Sequence, residues 1–236
     1  MSMNQLAKRM VLAYLPQGLL KIARSYHYRN SLRNCKITAE PDLRACQSVV
    51  KQGDTVLDVG ANIGVYTRFC SEFVGPTGRV ISLEPVPETF SYLKRNVRAL
   101  KLKNVECLNV AASDHDSDSE RMSIPDYSTG GLNLYEAKLS AEGNIVVKTA
   151  KLDTLFPNLN PAFIKCDVEG HEVACIHGAL NLIRRCRPIW MVEVSKAETF
   201  ELFRSLKYEA SYYDGSELHP FDPQRPATNY FFSPAS

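Results

Sequence analysis

The stretch IKCDVEGHE, residues 164–172, contains three side chains able to move a proton: Asp167, Glu169 and His171. In an extended chain, side chains two residues apart face the same side, and neighbouring carboxylates raise each other's pKa. Gly170 permits a sharp turn, after which His171 would begin a helix. Imidazole titrates near neutral pH. This spacing predicts acid–base chemistry, whereas the plainer interpretation makes His171 a solvated first-turn residue.

A glycine turn supplies the second group of candidate residues. In VLDVGANIGVYT, an apolar run reaches Asp58 and is followed by the turn Gly60-Ala61-Asn62-Ile63-Gly64. A dinucleotide-binding fingerprint has a glycine where Asn62 stands, because the backbone must approach a pyrophosphate there. The Asn62 side chain would obstruct that phosphate, and the Asp58 carboxylate would repel it.

Glu84 ends the next apolar run, RVISLE. An acid at this position can accept hydrogen bonds from both hydroxyls of a ribose. Asp58, the glycine turn and Glu84 together therefore favour a ligand with a ribose, a cationic group and no phosphate. S-adenosylmethionine has these features. The alternative is a turn that only connects two elements.

The elements that position these residues alternate between strand and helix from residue 53 onward. Buried strands are predicted in TVLDVG, RVISLEP, VECLNVA, AFIKCDV and PIWMVEV. Helices are predicted at residues 65–73 and in ETFSYLKRNVRALK, HEVACIHGALNLIRRC and AETFELFRSLKY. IVVKTAKL pairs at a sheet edge or leads into AFIKCDV. The alternation predicts an α/β fold with a doubly wound, Rossmann-like, mostly parallel sheet, whose ligands lie at the carboxyl ends of the strands.

In this order the motifs resemble the FkbM-type methyltransferases, a branch of the class I S-adenosylmethionine-dependent enzymes. The resemblance covers about residues 53–232 and rests on DVGANIGVYT, LEP, NVAASD, LDTL, IKCDVEGHE, PIWMVEV and NYFFSP. It implies methyl transfer from S-adenosylmethionine to a hydroxyl on a sugar, glycolipid or polyketide-type acceptor. It also implies a set of cofactor-binding residues in which the two alanines border the adenine: Asp58, Gly60, Asn62, Gly64, Glu84, Ala111, Ala112 and Asp114.

The resemblance gives the acidic stretch specific roles. Asp167 is expected to face the methionine end of the cofactor, and Glu169 and His171 are the candidates for the base that deprotonates the acceptor. Glu193 either lines the same cleft or is an ordinary acid at a strand end. These four residues could also hold Mg²⁺, which would acidify a bound hydroxyl. The sequence leaves this metal undecided.

Two other function classes stay open. One is a methyltransferase that acts on an amine or a nucleic acid, which the net charge of +2 and the absence of an N-P-P-Y motif near residue 167 disfavour. The other is a non-catalytic module that binds the nucleoside, which the intact acids Asp167 and Glu169 disfavour. The segment DYSTGGLNLY, residues 126–135, predicts a loop over the acceptor, although a surface hairpin has the same pattern.

The chain of 236 residues suits one large domain with an added terminal segment. We predict a basic helical extension at residues 1–45 and a class I methyltransferase domain at residues 46–236. Residues 1–39 contain seven Lys or Arg and no acid, which predicts one or two capping helices. The alternatives are contact with an anionic membrane and a signal peptide, although no clean cleavage site follows its short apolar core. The seven scattered cysteines form no CxxC pair and predict free thiols in a reducing cytoplasm. The expected location is the cytoplasm, peripheral to a membrane if the extension binds one.

Overall fold

The computed structural model describes residues 17–125 and 137–235. Its helices are α1 (Gln17–Asn34), α2 (Asp42–Val49), α3 (Val65–Val74), α4 (Pro87–Ala99), α5 (Leu152–Leu155), α6 (Glu172–His177), α7 (Leu180–Cys186) and α8 (Glu198–Ser205). Its strands are β1 (Thr55–Val59), β2 (Arg79–Leu83), β3 (Val105–Leu108), β4 (Ala111–Ala112), β5 (Ser117–Ser123), β6 (Lys138–Leu139), β7 (Ile145–Ala150), β8 (Phe163–Cys166), β9 (Ile189–Glu193), β10 (Tyr208–Tyr213), β11 (Leu218–Pro220) and β12 (Asn229–Pro234).

Eight strands form the main sheet in the order β11-β10-β12-β9-β8-β1-β2-β3. Five neighbouring strands of this sheet, β9, β8, β1, β2 and β3, are parallel to one another. The β12 strand runs antiparallel to both β9 and β10. Every residue of β8 is buried, because helices cover both faces of the sheet. The doubly wound, mostly parallel α/β sheet is therefore confirmed. The strand order reverses at β1, which places the expected ligand crevice at the carboxyl ends of β1, β2 and β8.

Four short strands form a second sheet in the order β4-β7-β5-β6. The segment IVVKTAKL contributes β7, which lies between β4 and β5 and is therefore not at a sheet edge, the position that one of the two predictions gives it. A short helix, α5, separates β7 from β8. The predicted strand VECLNVA is divided between β3 and β4. At the division, Asn109 Nδ2 donates hydrogen bonds to the carbonyl oxygens of Glu84 and Pro85 at 2.7 and 2.8 Å. These bonds redirect the chain, and apolar spacing does not encode them.

The predicted helix over residues 171–186 is also divided, into α6 and α7. A Cβ at Gly178 would lie 1.9 Å from the carbonyl oxygen of Ser113, so the chain passes very close to the end of β4 there. The Asp153 carboxylate then accepts the N–H groups of Asn181 and Leu182 at 2.9 and 2.8 Å. This cap from a distant part of the chain lets a new helix begin.

The α1 helix packs on α4 through side chains of its inner face. Tyr28 contacts Tyr92 edge-on, with ring centroids 5.1 Å apart, and Arg24 pairs with Glu88 at 3.5 Å. Arg68 of α3 donates hydrogen bonds to backbone carbonyl oxygens at the C-terminal end of α1. These contacts fix α1 beside the carboxyl edge of the main sheet.

Some predictions about the chain ends and loops stay predictions. The α2 helix crosses the predicted boundary at residue 45. The division into a segment of residues 1–45 and a domain of residues 46–236 stays a prediction. Residues 1–16 and the predicted acceptor loop at residues 126–135 lie outside the described residues. Across residues 17–125 and 137–235, no helix combines the length and the apolar character that a membrane crossing requires.

Candidate active site

A cavity of about 450 Å³ lies where β1, β2 and β8 end. Residues 59–63 line it at the end of β1, residues 84–86 after β2, and residues 167–169 after β8. The second sheet contributes the residues of β4, and α1 contributes Ser31. Of the groups predicted at the strand ends, Asn62, Glu84, Asp167 and Glu169 are therefore brought to one cavity.

The turn after β1 is held close to its neighbours by its backbone. The N–H groups of Gly60 and Ala61 donate hydrogen bonds to the carbonyl oxygen of Leu83 at 3.0 and 2.9 Å. Gly60 has a φ of 78°, and a Cβ there would lie 1.8 Å from the carbonyl oxygen of Asp167. Only glycine fits this position, because any side chain would push the turn away from the end of β8.

Glu84 presents a fixed carboxylate to the cavity. Its Oε2 accepts the N–H of Asn62 at 3.0 Å, and its Oε1 accepts the N–H of Val86 at 2.9 Å. Burial raises the pKa of Glu84 to about 7, although these two donors oppose the shift. Each oxygen of a carboxylate has a second lone pair. The group can therefore accept further hydrogen bonds from a ligand without losing its own support.

Asn62 lines the same cavity. Its backbone has a φ of 50°, a left-handed conformation that asparagine tolerates better than most residues. Its Oδ1 is buried and has no hydrogen-bond partner within the described residues. A buried acceptor without a partner is costly, so a hydrogen-bond donor on a bound ligand would be favourable here.

Lys165 is a buried cation between two carboxylates. Its Nζ lies 3.2 Å from Asp167 Oδ2 and 3.7 Å from Asp58 Oδ1, and it donates a hydrogen bond to the Gly60 carbonyl oxygen at 2.9 Å. Burial lowers the pKa of Lys165, but the charges of Asp167 and Asp58 outweigh burial and raise it above its ordinary value. The lysine therefore ties the ends of β1 and β8 together as a positive charge.

Asp58 lies beneath the cavity, not in its wall. Its side chain is fully buried, and Oδ2 accepts a hydrogen bond from Thr67 Oγ1 at 2.5 Å. Burial raises the pKa of Asp58, while Lys165 and Thr67 oppose that shift. The ammonium group beside Asp58 is thus that of Lys165. A direct contact between Asp58 and the cofactor stays a prediction.

Asp167 and Glu193 form a pair of hydrogen-bonded carboxyl groups. That bond and burial raise the pKa of Glu193 to about 8. Burial also acts to raise the pKa of Asp167, but the Lys165 ammonium outweighs burial and lowers it. The two acids therefore titrate as a pair, in which the pKa of Glu193 is raised and that of Asp167 is lowered.

The magnesium alternative gains no support from this arrangement. Carboxylate oxygens of Asp167, Glu169 and Glu193 lie within 4.8 Å of one another, which is close enough for a cation. Lys165 pairs with Asp167 and compensates one of these charges. His171, the fourth predicted ligand, is not part of this cluster and lies 2.9 Å from Ser113 Oγ instead. The proposed function assigns no step to a metal.

A second cavity, of about 570 Å³, adjoins the first. Glu40, Tyr66 and Asp167 line both cavities. From this shared wall the second cavity continues past Glu193 to Tyr213. A molecule in the second cavity would thus approach a ligand in the first from the side of Asp167.

His171 lies on the opposite side of the first cavity, towards β4. Its Nε2 is 2.9 Å from Ser113 Oγ, and Ser113 directly follows β4. Burial lowers the pKa of His171, so its imidazole is neutral near pH 7. The structure thus separates His171 from the acid pair with which the sequence grouped it.

The model of the methyltransferase FkbM domain matches residues 58–219, which is more than half of the chain. The chain belongs to the FkbM methyltransferase family. The matched range begins at Asp58 and includes three of the acids that line the two cavities, Glu84, Asp167 and Glu193.

Individual methyltransferases are also similar to this chain in sequence or in structure. The hexuronic acid methyltransferase AglP of Haloferax volcanii is 30% identical over 153 residues, which cover 61% of this chain and 60% of that protein. This chain therefore spans less than two thirds of that relative's length. A solved FkbM methyltransferase of Methylobacillus flagellatus KT has a TM-score of 0.53 and 16% identity over 90% of this chain and 60% of its own. A putative rRNA-methylase of Clostridium thermocellum has a TM-score of 0.51 and 13% identity over 82% of this chain and 93% of its own. These two structures share the class I fold.

The remaining residues of the FkbM pattern occupy different surroundings. Ala111 and Ala112 are buried in the wall of the first cavity. Gly64 precedes α3 and lies outside that wall. Asp114 is exposed, lies outside the wall and contacts His115 Nδ1 at 2.7 Å. Their roles in binding the cofactor stay predictions.

Three residues of the site were not singled out from the sequence: Lys165, Tyr66 and Glu40. Lys165 carried a signal, because it interrupts the apolar strand AFIKCDV and lysine is almost never fully buried unless it is paired. Tyr66 and Glu40 carried none, because they reach the site only through the packing of α3 and of the segment before α2.

Proposed function

We propose that this FkbM-family chain transfers the methyl group of S-adenosylmethionine to a hydroxyl of a sugar, glycolipid or polyketide-type acceptor. The supporting observation is the pair of adjoining cavities, one with the fixed Glu84 carboxylate, the other with Glu193, and Asp167 in their shared wall. A donor in the first and an acceptor in the second would meet at Asp167. A relative whose name states that it methylates a hexuronic acid agrees with a sugar ring as the acceptor, although that sugar carries a carboxylate and acids line the second cavity of this chain.

The first cavity offers a partner for each part of the cofactor. The Glu84 carboxylate would accept hydrogen bonds from the ribose hydroxyls, and Asn62 Oδ1 would accept another donor. Ala111 and Ala112 would pack against the adenine. Asp167 would face the amine and sulfonium end, where its negative charge is favourable. The cofactor supplies a methyl group that is already activated, so the protein has to align the acceptor oxygen and remove its proton.

Glu193 is our proposed acceptor of that proton. It lines the second cavity and lies beside Asp167, which is in the wall shared with the first cavity. Once Glu193 is ionised, it can take the hydroxyl proton as the acceptor oxygen bonds to the methyl group. A base whose pKa is near the working pH is effective in this role. Glu169 and His171 then act as wall residues of the cofactor cavity.

Glu193→Gln is expected to lower kcat by about 100-fold or more and to leave cofactor affinity unchanged, because general-base catalysis contributes roughly 10²–10⁴-fold. In the unmodified protein, kcat/KM should rise as pH increases through about 8, since only the ionised form of Glu193 accepts a proton. Glutamine should remove this rise. Formation of S-adenosylhomocysteine across neutral and alkaline pH measures both effects.

His171→Ala provides the matched comparison. The histidine lines the cofactor cavity and contacts Ser113, and the sequence alone predicted it, with Glu169, as a candidate base. If kcat falls in His171→Ala at unchanged cofactor affinity, while Glu193→Gln retains its activity, the base is His171 and the role of Glu193 is refuted.

The second cavity also restricts the charge of the acceptor. Its described lining residues include no Lys, Arg or His, and they include four carboxyl groups: Glu40, Asp42, Asp167 and Glu193. Burial raises the pKa of Glu40, and the nearby charges of Asp42 and Asp167 add to the shift. Tyr66 and Tyr213 add aromatic rings suited to the apolar face of a sugar. We therefore propose a neutral or amine-bearing polyhydroxyl acceptor, because a carboxylate or phosphate would be repelled.

Three methyl glycosides that differ in charge test this selectivity. Methyl glucoside and methyl glucosaminide should react with a kcat/KM at least about tenfold above that of methyl glucuronide, since like charges placed together cost several kcal/mol. Glu40→Gln should reduce the difference in kcat/KM between the glucuronide and the two other glycosides. Preferred methylation of the glucuronide would overturn the charge selectivity and leave methyl transfer supported.

N-methylation is the second candidate, because carboxyl groups that favour an ammonium also suit an amine acceptor. NMR of the methylated glucosaminide separates an O-methyl from an N-methyl product. Calorimetry with S-adenosylmethionine and S-adenosylhomocysteine tests the cofactor itself, and failure of both to bind would refute every methyltransferase assignment. Binding without product from any acceptor would instead identify a non-catalytic module.

A further inference from the structure

The outer face of α1 carries a stripe of five side chains: Leu19, Ile22, Tyr26, Arg29 and Arg33. Alternating spacings of three and four residues place them on one side of the helix. The three apolar members are 52%, 64% and 62% exposed. The Arg29 guanidinium lies over the Tyr26 ring, 5.4 Å from its centroid. The α1 stripe is thus apolar over its first turns and basic over its last.

The opposite face of α1 is already occupied. Leu20 and Leu32 are buried there, and Tyr28 packs on Tyr92. The helix is therefore anchored to the domain, and the stripe is not the side that faces the core. Three large exposed apolar residues in one row on an anchored helix call for a partner.

The charge around the stripe is of one sign. Residues 17–39 contain five Lys or Arg and no acid. Arg24 pairs with Glu88, and among the described residues the other four, Lys21, Arg29, Arg33 and Lys36, have no ion pair with a carboxylate. A second copy of the chain would bring a stripe of the same charge against this one in a symmetric interface, which disfavours self-association.

We propose that the α1 stripe docks on an anionic lipid surface. A helix that combines bulky apolar side chains with Lys and Arg binds in the plane of such a surface, because the apolar side chains enter the headgroup boundary while the cations pair with lipid phosphates. The charge complementarity selects anionic over neutral lipid.

Docking through α1 would also orient the site. Ser31 and Cys35, at the other end of the helix, line the cofactor cavity. The α1 helix would therefore contact the lipid surface with its outer face and border the cofactor cavity at its C-terminal end. If the proposed function holds, this placement favours an acceptor attached to a lipid; this last step rests on that function, whereas the docking does not.

Co-sedimentation of the full chain with vesicles tests the docking. The protein should bind vesicles of phosphatidylcholine and phosphatidylglycerol, and bind vesicles of phosphatidylcholine alone at least about fivefold less. Ile22→Asp should reduce binding to the anionic vesicles by at least about fivefold. Val146→Asp is the matched control, because Val146 is 55% exposed on the second sheet and should bind as the unmodified protein does.

A charge variant provides an independent measurement. Arg33→Gln combined with Lys36→Gln should lower binding to the anionic vesicles and weaken its salt dependence, without touching the apolar residues. Unchanged binding in Ile22→Asp, equal binding to neutral vesicles, or a dimer that Ile22→Asp dissociates would each overturn the docking. Calorimetry with S-adenosylhomocysteine on the same samples keeps the two proposals apart, because its failure would refute the cofactor assignment alone.

Discussion

Gly60→Ala is expected to lower the free energy of unfolding by about 3 kcal/mol or more, because overpacking costs roughly 1–3 kcal/mol and a left-handed alanine about 1–2 kcal/mol. The new Cβ would lie 1.8 Å from the Asp167 carbonyl oxygen. To relieve this clash, the turn must move away from β8, which breaks the hydrogen bond from Lys165 to the Gly60 carbonyl oxygen. Cofactor binding should be lost, because Asn62 moves with the turn.

Gly215→Ala separates the clash from the backbone strain. Gly215 has a φ of 101°, and a Cβ there would have no neighbour within 4 Å. In this variant the free energy of unfolding should fall only by the cost of the backbone strain, about 1–2 kcal/mol. The variant should bind S-adenosylhomocysteine normally. Denaturant unfolding and calorimetry measure the two quantities. Equal losses in both variants would show that the close approach between Gly60 and Asp167 is unimportant.

Glu84→Gln is expected to weaken affinity for S-adenosylmethionine by about 10- to 100-fold, since a hydrogen bond to a charged group contributes roughly 1.5–3 kcal/mol. The side chain keeps its shape, but an amide NH₂ would face the N–H of Asn62 or of Val86 and lose one of the two bonds that fix the group. It also replaces a carboxylate with a neutral acceptor for the ribose hydroxyls.

The same argument predicts a pH dependence of binding. The pKa of Glu84 is raised to about 7 in the cavity, and hydroxyl donors favour its ionised form. Affinity in the unmodified protein should therefore increase as pH rises through about 7 and then level off, whereas Glu84→Gln should show no such change. Glu106→Gln, an exposed acid on the neighbouring β3, is the control. Normal affinity in Glu84→Gln would exclude Glu84 from the cofactor site.

Much of the fold could be predicted because its signals are local. A strand covered on both faces is a continuous apolar run, and a helix that packs on a sheet has apolar residues at its own period. These signals located β1, β2, β8 and β9, and the helices that follow β1, β2 and β9. They failed at residues 171–186, because Gly178 lies against Ser113 and Asp153 caps α7. Both contacts come from distant parts of the chain.

The sequence predicted which residues lie at the candidate site, but it did not predict which side chains contact one another there. Acids at strand ends placed Glu84 and Asp167 at one edge of the sheet, as parallel strands require. The grouping of His171 with Asp167 followed from their proximity in sequence, but the turn after β8 directs His171 to Ser113 instead. Asp167 is instead paired with Lys165 and Glu193. Lys165 lies on β8, which Asp167 directly follows, and Glu193 ends the next strand of the chain, β9.

By itself, the sequence determined the parallel α/β sheet and placed the glycine turn and Glu84 at the ends of neighbouring strands, because each depends on residue types and spacing along a short segment. The tertiary structure decided which acids face each other, which cation lies beneath the cavity, and how the two cavities join. Those properties depend on burial and on distances of a few ångströms between residues 40, 58, 66, 165, 167 and 193. Only the packed chain sets such distances, since charge interactions vary steeply with separation and solvent exposure.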